Sequence, residues 1–568
     1  MALFDWTPED EPPARPSGRG RLAVGAGVVL AAGAVLVALA VRAGGPASPD
    51  PAEAARLAAI AARPATGEEV ARACSGCHPT PPPDSFARAD WRDEVWRGFQ
   101  FLNKSTLPPG PAGLESVVAY YEAHAPERLP DLDRGPAPAA PLGVAFDPVG
   151  YSLPGSSGAF GVAHARFVRL LDPKRLDVLA CDMIEGVVLV ARPYEPSRPA
   201  EVLAEGLRSP SHAEVVDLDR DGVLDVVVAE LGEPRPTELK LGRVTMLRGS
   251  PGGRFAPIVL EAGLGRVADV RAADFDGDGD LDLIVAVFGW NTVGEVRYLE
   301  NRTVDRDRPA FVGRTVDPRH GAIDVPVADL DGDGRPDFVA LFGQETESVV
   351  AFLNRGDGTF RPETIYRAPH PAYGSSGIEL VDLDKDGDLD VVYASGDSLD
   401  SSALRPYNGL HWLENRGSYP FEPRRLASAY GVYRPKTADL DGDGDLDIVA
   451  TSLLVGPGYR PRRDALAIDS ILVLEQTRPG EFARHALETV RCDHATSDLA
   501  DYDGDGRVDL VTGNFSEGFP GPPPRSSPRD RFVVRRNLGR PAPAPASVPV
   551  SATVPAPPQP AEPGGSRR

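Results

Sequence analysis

One nine-residue pattern constrains this chain more than any other. Asp-x-Asp-x-Asp-Gly-x-x-Asp, followed each time by a short β-branched run, occurs six times. The copies begin at Asp217, Asp274, Asp329, Asp382, Asp439 and Asp501, at intervals of 57, 55, 53, 57 and 62 residues. A recurrence of this size signals repeat architecture. Each interval holds about four strands' worth of apolar runs, which is one propeller blade. A degenerate copy lies upstream, where Phe167-Val168-Arg169-Leu170 is followed by Asp172, Asp177 and Val178-Leu179-Ala180 without the aspartate loop. Six intact copies plus this one predict seven blades, and closing them into a ring removes exposed sheet edges.

The aspartate spacing has a chemical reason. Carboxylates at loop positions 1, 3, 5 and 9 can converge on one hard cation, glycine at position 6 allows the sharp turn, and the position-7 carbonyl adds an oxygen. The candidate ligands are Asp217, Asp219, Asp221 and Asp225 in the first loop, and Asp274, Asp276, Asp278 and Asp282 in the second. The third and fourth loops offer Asp329, Asp331, Asp333, Asp337 and Asp382, Asp384, Asp386, Asp390. The last two offer Asp439, Asp441, Asp443, Asp447 and Asp501, Asp503, Asp505, Asp509. So many protein oxygens favour calcium over magnesium, with up to six ions. No helical pattern flanks the loops and no glutamate stands at position 12, so they are not EF-hands. The net charge of −23 argues against a nucleic-acid partner, and 24 of the 83 acidic residues occupy the four ligand positions of these six loops, where cations would neutralise them.

The loops, together with Phe288-Gly289, Phe342-Gly343 and the hairpin Asn354-Arg355-Gly356-Asp357-Gly358-Thr359-Phe360, resemble the FG-GAP/VCBS repeat family of β-propellers over roughly residues 160–538. The resemblance implies calcium in each intact loop. It implies no single activity, because fold does not fix function.

The N-terminal quarter reads differently. Residues 1–21 are polar, with Arg15, Arg19 and Arg21 ahead of a charge-free apolar run over 22–41. As a helix that run spans about 30 Å, enough to cross a bilayer. The arginines place the N-terminus in the cytoplasm and the remainder in the periplasm of a bacterial inner membrane. A cleaved signal peptide is the alternative, since Ala38-Leu39-Ala40 resembles a cleavage site; the length of the run favours an uncleaved anchor. Residues 43–66 read as a Pro/Ala linker, 67–130 as a small helical domain, 131–142 as a second linker, 143–538 as the propeller and 539–568 as a disordered Pro/Ala-rich tail. Glu68–Ala73, Arg88–Leu102 and Gly113–His124 are the expected helices. The expected fold class is therefore mainly β: a seven-bladed calcium-binding β-propeller with a small all-α cytochrome c-like domain and an N-terminal transmembrane helix.

Cys74-Ser75-Gly76-Cys77-His78 fits C-x-x-C-H. Two thiols at this spacing reach the two vinyl groups of one haem, and the following histidine lies beneath the iron. A zinc half-site lacks two further ligands nearby, and a redox dithiol lacks its βαβ setting. The expected cofactor is haem c on Cys74, Cys77 and His78, in a unit that looks like a monohaem cytochrome c domain. The unit has no methionine for the second axial position; Met183 and Met246 lie in the propeller. His124 and Lys104 are the other nitrogen donors there, and for His124 a helix-end surface role is preferred. Cys181 and Cys492 would pair only in an oxidising compartment and only if close in space.

The face opposite the aspartate loops should carry His212, Trp290, Asn291, Gln344, Glu345, Asp397, Tyr433, Arg434, His494 and Asn514. Mixed polar and aromatic residues there suit a redox partner or a polar or carbohydrate ligand. No nucleophile triad signature or phosphate loop is evident, so the sequence leaves catalysis open. The expected function is an exported, membrane-anchored haem c protein that binds a partner or polar substrate and transfers electrons. A haem-coupled oxidoreductase, a propeller hydrolase or lyase, and an adhesion receptor with a vestigial haem domain remain alternatives.

Overall fold

A computed structural model describes residues 63–540, apart from 75–78, 105–111, 137, 139, 157, 291, 398–402, 457 and 517–529. The proposed membrane segment, linker residues 43–62, Cys77 and His78, and all but the first two residues of the tail lie outside the described residues. Among the described residues no helix is long and apolar enough to cross a membrane.

Seven antiparallel sheets follow one another along the chain. Blade 1 comprises Val162–Val168, Asp177–Asp182, Val187–Ala191 and Glu201–Ala204, and blades 2 to 6 repeat this order through residue 489. In blade 4 the first strand is split into Ala322–Asp324 and Val327–Ala328 around Pro326, which has no N–H to pair. Blade 7 takes His494–Ala500, Asp509–Asn514 and Asp530–Asn537 from the end of the chain. Its outermost strand is Phe146–Ser152, paired antiparallel with Asp530–Asn537 in the register Val149↔Val534. The two ends of the propeller sequence thus close the ring inside one sheet. The seven blades match the seven-fold expectation.

Burial explains the strand pattern. The second strand of every blade, such as Asp282–Val287, is buried along its whole length because both sheet faces pack on neighbouring blades. Outer strands such as Glu422–Ser428 alternate little and are mainly exposed.

One contact recurs in all seven blades. The aspartate that opens the second strand turns its carboxylate back to the loop before it. Its Oδ2 accepts an N–H from that loop: Leu218 to Asp225 at 3.0 Å, Phe275 to Asp282 at 3.3 Å, Leu330 to Asp337 at 2.9 Å. Leu383, Leu440 and Tyr502 donate in the same way to Asp390, Asp447 and Asp509. In blades 2 to 7 its Oδ1 accepts an N–H at the end of the third strand, for example Asn354 to Asp337 at 2.7 Å and Asn537 to Asp509 at 2.7 Å. Blade 1, which lacks the metal-type loop, keeps the hub: Leu171 N–H donates to Asp177 Oδ2 at 2.7 Å and the Tyr194 hydroxyl to Oδ1 at 2.9 Å.

The helical unit consists of α1 (Gly67–Cys74), α2 (Trp91–Lys104) and α3 (Leu114–His124). These lie within a few residues of the expected helices; α2 starts later because Arg88–Asp90 forms a separate 3-10 turn. Trp91 and Tyr121 stack at 3.6 Å, Phe86 meets Trp91 edge-on, and Val70, Val117 and Val118 complete the core. Ala65, assigned from composition to a linker, belongs to that core and donates its N–H to Ser116 O. The unit sits on blade 5, where Ala372 joins its apolar cluster and the Tyr407 hydroxyl donates to Ser85 O at 3.1 Å. Residues 131–142 are likewise docked: Leu132 N–H donates to the Tyr430 hydroxyl, and Arg134 donates to the carbonyls of Leu466 and Ala467.

Asp177→Ala removes two hydrogen bonds from a fully buried carboxylate and leaves Leu171 N–H unpaired. A destabilisation of roughly 2–4 kcal/mol is expected, read from urea unfolding, and it should be the same with and without a chelator because blade 1 has no metal-type loop.

Candidate functional site

The six loops share one conformation. In each, the position-1 aspartate accepts the N–H of the position-6 glycine, as in Gly222 to Asp217 at 2.9 Å and Gly387 to Asp382 at 3.0 Å. The position-5 aspartate accepts the position-7 N–H, as in Asp280 to Asp278 at 2.8 Å. The glycine itself lies at φ +95° in the second loop and +101° in the fourth, a region that other residues enter only with strain. These turns aim the remaining carboxylate oxygens inward. One oxygen each from Asp217, Asp219 and Asp225 lies within 4.8 Å of the others, and the same holds for Asp274, Asp276, Asp282, for Asp329, Asp331, Asp333 and for Asp382, Asp384, Asp386.

This donor set fits a calcium ion. Asp384 Oδ1 is buried and has no hydrogen-bond partner, which is costly unless a cation completes it. Burial, followed by repulsion from Asp386, raises its affinity for a proton, the signature of carboxylates packed without a counter-ion. The position-9 aspartates behave alike: burial pushes Asp225, Asp390 and Asp509 up to about 6 and Asp447 to about 7. Elsewhere arginines partly fill the cation's electrostatic role, as where Arg248 Nε lies 2.8 Å from Asp219 Oδ2.

The opposite face is built by the loops before the first strand and between the second and third strands of each blade. The residues expected there fall into separate pairs. The Tyr433 hydroxyl donates to Asp397 at 3.0 Å. Gln344 meets His320 Nδ1 at 2.7 Å, and His320 Nε2 lies 3.4 Å from Glu345. His494 is fully buried between Asn514 at 2.8 Å and Glu488 at 3.0 Å. Burial opposes charge on Glu488, but His494, Arg535 and Arg491 hold it down to about 2. Trp290 is half-buried on this face, and Asn291 lies outside the described residues.

His212 and Arg434 are not loop residues. They lie in first strands and point into the central channel, with a set of charges the sequence reading passed over. His212 packs on His164 with ring centroids 4.3 Å apart and lies 3.0 Å from Asp269. Arg271 joins Asp269 at 3.2 Å and Glu214 at 3.4 Å. Arg434 pairs with Asp324, and Lys436 meets Glu379 at 3.4 Å. Burial drives His212 down to about 4 despite Asp269, so it is neutral at physiological pH. The signal was present in the sequence: polar residues at alternate positions of the strand before each aspartate loop.

In the helical unit, Cys74 closes α1 and packs against the Trp91–Tyr121 cluster. His124 is exposed at the end of α3, its Nδ1 2.7 Å from Tyr120 O, a helix-end contact. Cys181 and Cys492 are both free thiols and do not pair.

A ring of seven four-stranded blades with a carboxylate loop after the first strand of six of them defines a β-propeller of carboxylate-loop repeats. Residues 217–285 and 321–393 match the FG-GAP-like repeat family, and the chain carries repeats of that kind. No curated protein matches the chain.

Two predictions follow from this geometry. Chelation should lower the melting temperature of the propeller, and metal analysis of the calcium-loaded protein should give six ions, falling to five in Asp384→Ala. Retained melting temperature after verified metal removal would contradict this. Separately, Glu347 is buried behind Ser375, and burial, only partly offset by the Ser375 hydrogen bonds, pushes its carboxyl from 4.5 up to about 8. Its folded-state proton affinity exceeds the unfolded one, so the stability it contributes is complete below pH 4.5 and is lost as pH rises towards 8. Glu347→Gln should flatten the pH dependence of the melting temperature across that window.

Proposed function

We propose that this protein is an exported, membrane-anchored recognition protein in which a calcium-stabilised propeller holds a redox partner or polar ligand beside a haem c unit. Propellers with FG-GAP-like repeats generally serve ligand or protein recognition, and the repeats here support that part of the proposal. The observation that supports placing the ligand beside the helical unit is the seating of that unit on the propeller. It packs on blade 5 at Ala372, Ala403 and Tyr407, on the face opposite the aspartate loops, where Tyr433, Asp397, His320 and Glu345 also lie. A ligand bound on that face would lie on the same side of the ring as Cys74.

Cys74, Cys77 and His78 would hold the haem, which supplies one-electron transfer. The polypeptide's part is to dock the unit: Tyr407 fixes the backbone at Ser85, and the Arg405 guanidinium lies 5.2 Å from the centre of the Phe86 ring. The apolar segment 22–41 would tether the whole to the inner membrane with the propeller in the periplasm. His124 is turned to its own helix, its Nδ1 2.7 Å from Tyr120 O, so Cys74, Cys77 and His78 rather than His124 would hold the haem.

Protein produced with a haem-maturation system should carry one haem that stays with the chain in acidified organic solvent, and Cys77→Ala should lose two-bond attachment. Haem extracted in full from the wild type would remove the electron-transfer half of the proposal and leave a recognition propeller. Reduced wild type and His124→Ala should bind carbon monoxide equally fast; wild-type resistance relieved by the mutation would make His124 the ligand.

A further inference from the structure

The aspartate-loop face has one blade of opposite character. Blade 1 spans the same eight residues between its first and second strands as blade 2, Arg169–Leu176 against Asp217–Leu224. Where blade 2 places aspartates, blade 1 carries Arg169, Lys174 and Arg175, and only Asp172 is acidic. Arg166, in the strand before, is exposed and lines the inner end of the same seam with Arg169. Among the described residues Arg166, Arg169 and Lys174 have no carboxylate within ion-pairing distance, and neither does Arg254 on the adjoining hairpin of blade 2. All four are exposed. On a chain of net charge −23, four exposed cations gathered at one seam, with Glu214 the carboxylate in the cavity beside Arg166 and Arg169, are not explained by the fold.

The same seam is hollow. A cavity of about 270 Å³ lies at its inner end, between Arg166, Arg169, Glu214, Val215 and Leu224; the Glu214 carboxylate is engaged by Arg271 at 3.4 Å. A second, of about 640 Å³, lies at its outer end, between Leu171, Glu201, Val202, Arg254 and Phe255, with the Glu201 carboxylate already held by Arg192 and Arg198. Both open on the aspartate-loop face, since the loop after Val168, the Leu224 position of the blade 2 loop and the Gly252-Gly253 hairpin all lie there. At other seams the loops are bridged: Arg220 reaches Asp280 at 3.2 Å and Lys385 reaches Asp445 at 3.6 Å.

We propose that the blade 1–blade 2 seam is a docking groove for an extended acidic peptide segment of another protein. Four strands at their usual spacing make a blade about 14 Å deep, the length of roughly four extended residues. The groove alternates cations with apolar surface: Leu224 is 37% and Val202 43% exposed. That pattern suits a segment alternating carboxylates with aliphatic side chains. A sugar chain fits less well, because sugar sites stack on exposed aromatic rings and Phe167 is buried here while Phe255 is half-buried. The six neighbouring loops, loaded with calcium, would no longer repel such a segment. The site lies on the other face from the helical unit and does not depend on haem.

The test uses the full calcium-saturated chain and fluorescein-labelled Asp-Leu-Glu-Val-Asp-Leu, read by anisotropy at 0.05 and about 0.15 M salt. Saturable binding that weakens with salt, and falls at least tenfold in the Arg166→Glu/Arg169→Glu double variant, is expected. The exposed Lys240→Glu, on the opposite face, should bind like wild type, and the Lys-Leu-Lys-Val-Lys-Leu counterpart should not compete. Melting temperatures of both variants confirm folding. No binding, equal binding by the double variant, or preferential displacement by a polyuronate over unlabelled acidic peptide would overturn the assignment.

Discussion

The buried aspartate at the start of each second strand is the contact on which the rest of the molecule depends. It joins three pieces of a blade that share no continuous ladder at that end: the loop after the first strand, the second strand itself and the end of the third. Its two oxygens accept two backbone N–H groups that would otherwise be buried without partners. The cost is a carboxylate taken out of water, visible in the raised proton affinity of Asp225, Asp390, Asp447 and Asp509. Six blades offset that cost with a loop that can gather a cation. Blade 1 instead lets the Tyr194 hydroxyl share the carboxylate. The metal-type loop is thus an addition to a framework contact that stands without it.

The loops were legible because their chemistry is local. Asp217 to Asp225 reach one another within nine residues, and the glycine at position 6 follows from the turn itself. Blade number was legible from the interval between copies and from Asp177, the surviving trace of a seventh. The channel was not. Asp269 meets His212 and accepts the Val325 N–H on its other oxygen only after three blades come together, so the alternating polar residues of the first strands look like ordinary solvent-facing positions until the ring closes. The segment 131–142 was misjudged for a related reason: proline and alanine content describes a flexible chain, but Leu132 and Arg134 find specific partners some 300 residues away.

The two faces divide the chemistry. One carries carboxylate loops broken by a basic, hollow seam at blade 1. The other carries paired polar side chains and the helical unit with Cys74. Because blade 7 is closed by Phe146–Ser152, the segment from the helical unit must cross the rim from one face to the other before pairing. Docking of that unit and closure of the ring are therefore coupled through one stretch of chain.

The most direct measurement of the central claim is amide hydrogen exchange, with and without calcium, across the loop amides of Leu171, Leu218, Phe275, Leu330, Leu383, Leu440 and Tyr502 and the third-strand ends they share. The account predicts strong protection at all seven hubs in calcium. On chelation, protection should fall in blades 2 to 7 and persist at Leu171 in blade 1. Loss at Leu171 in step with the others, or no change in any blade, would contradict it.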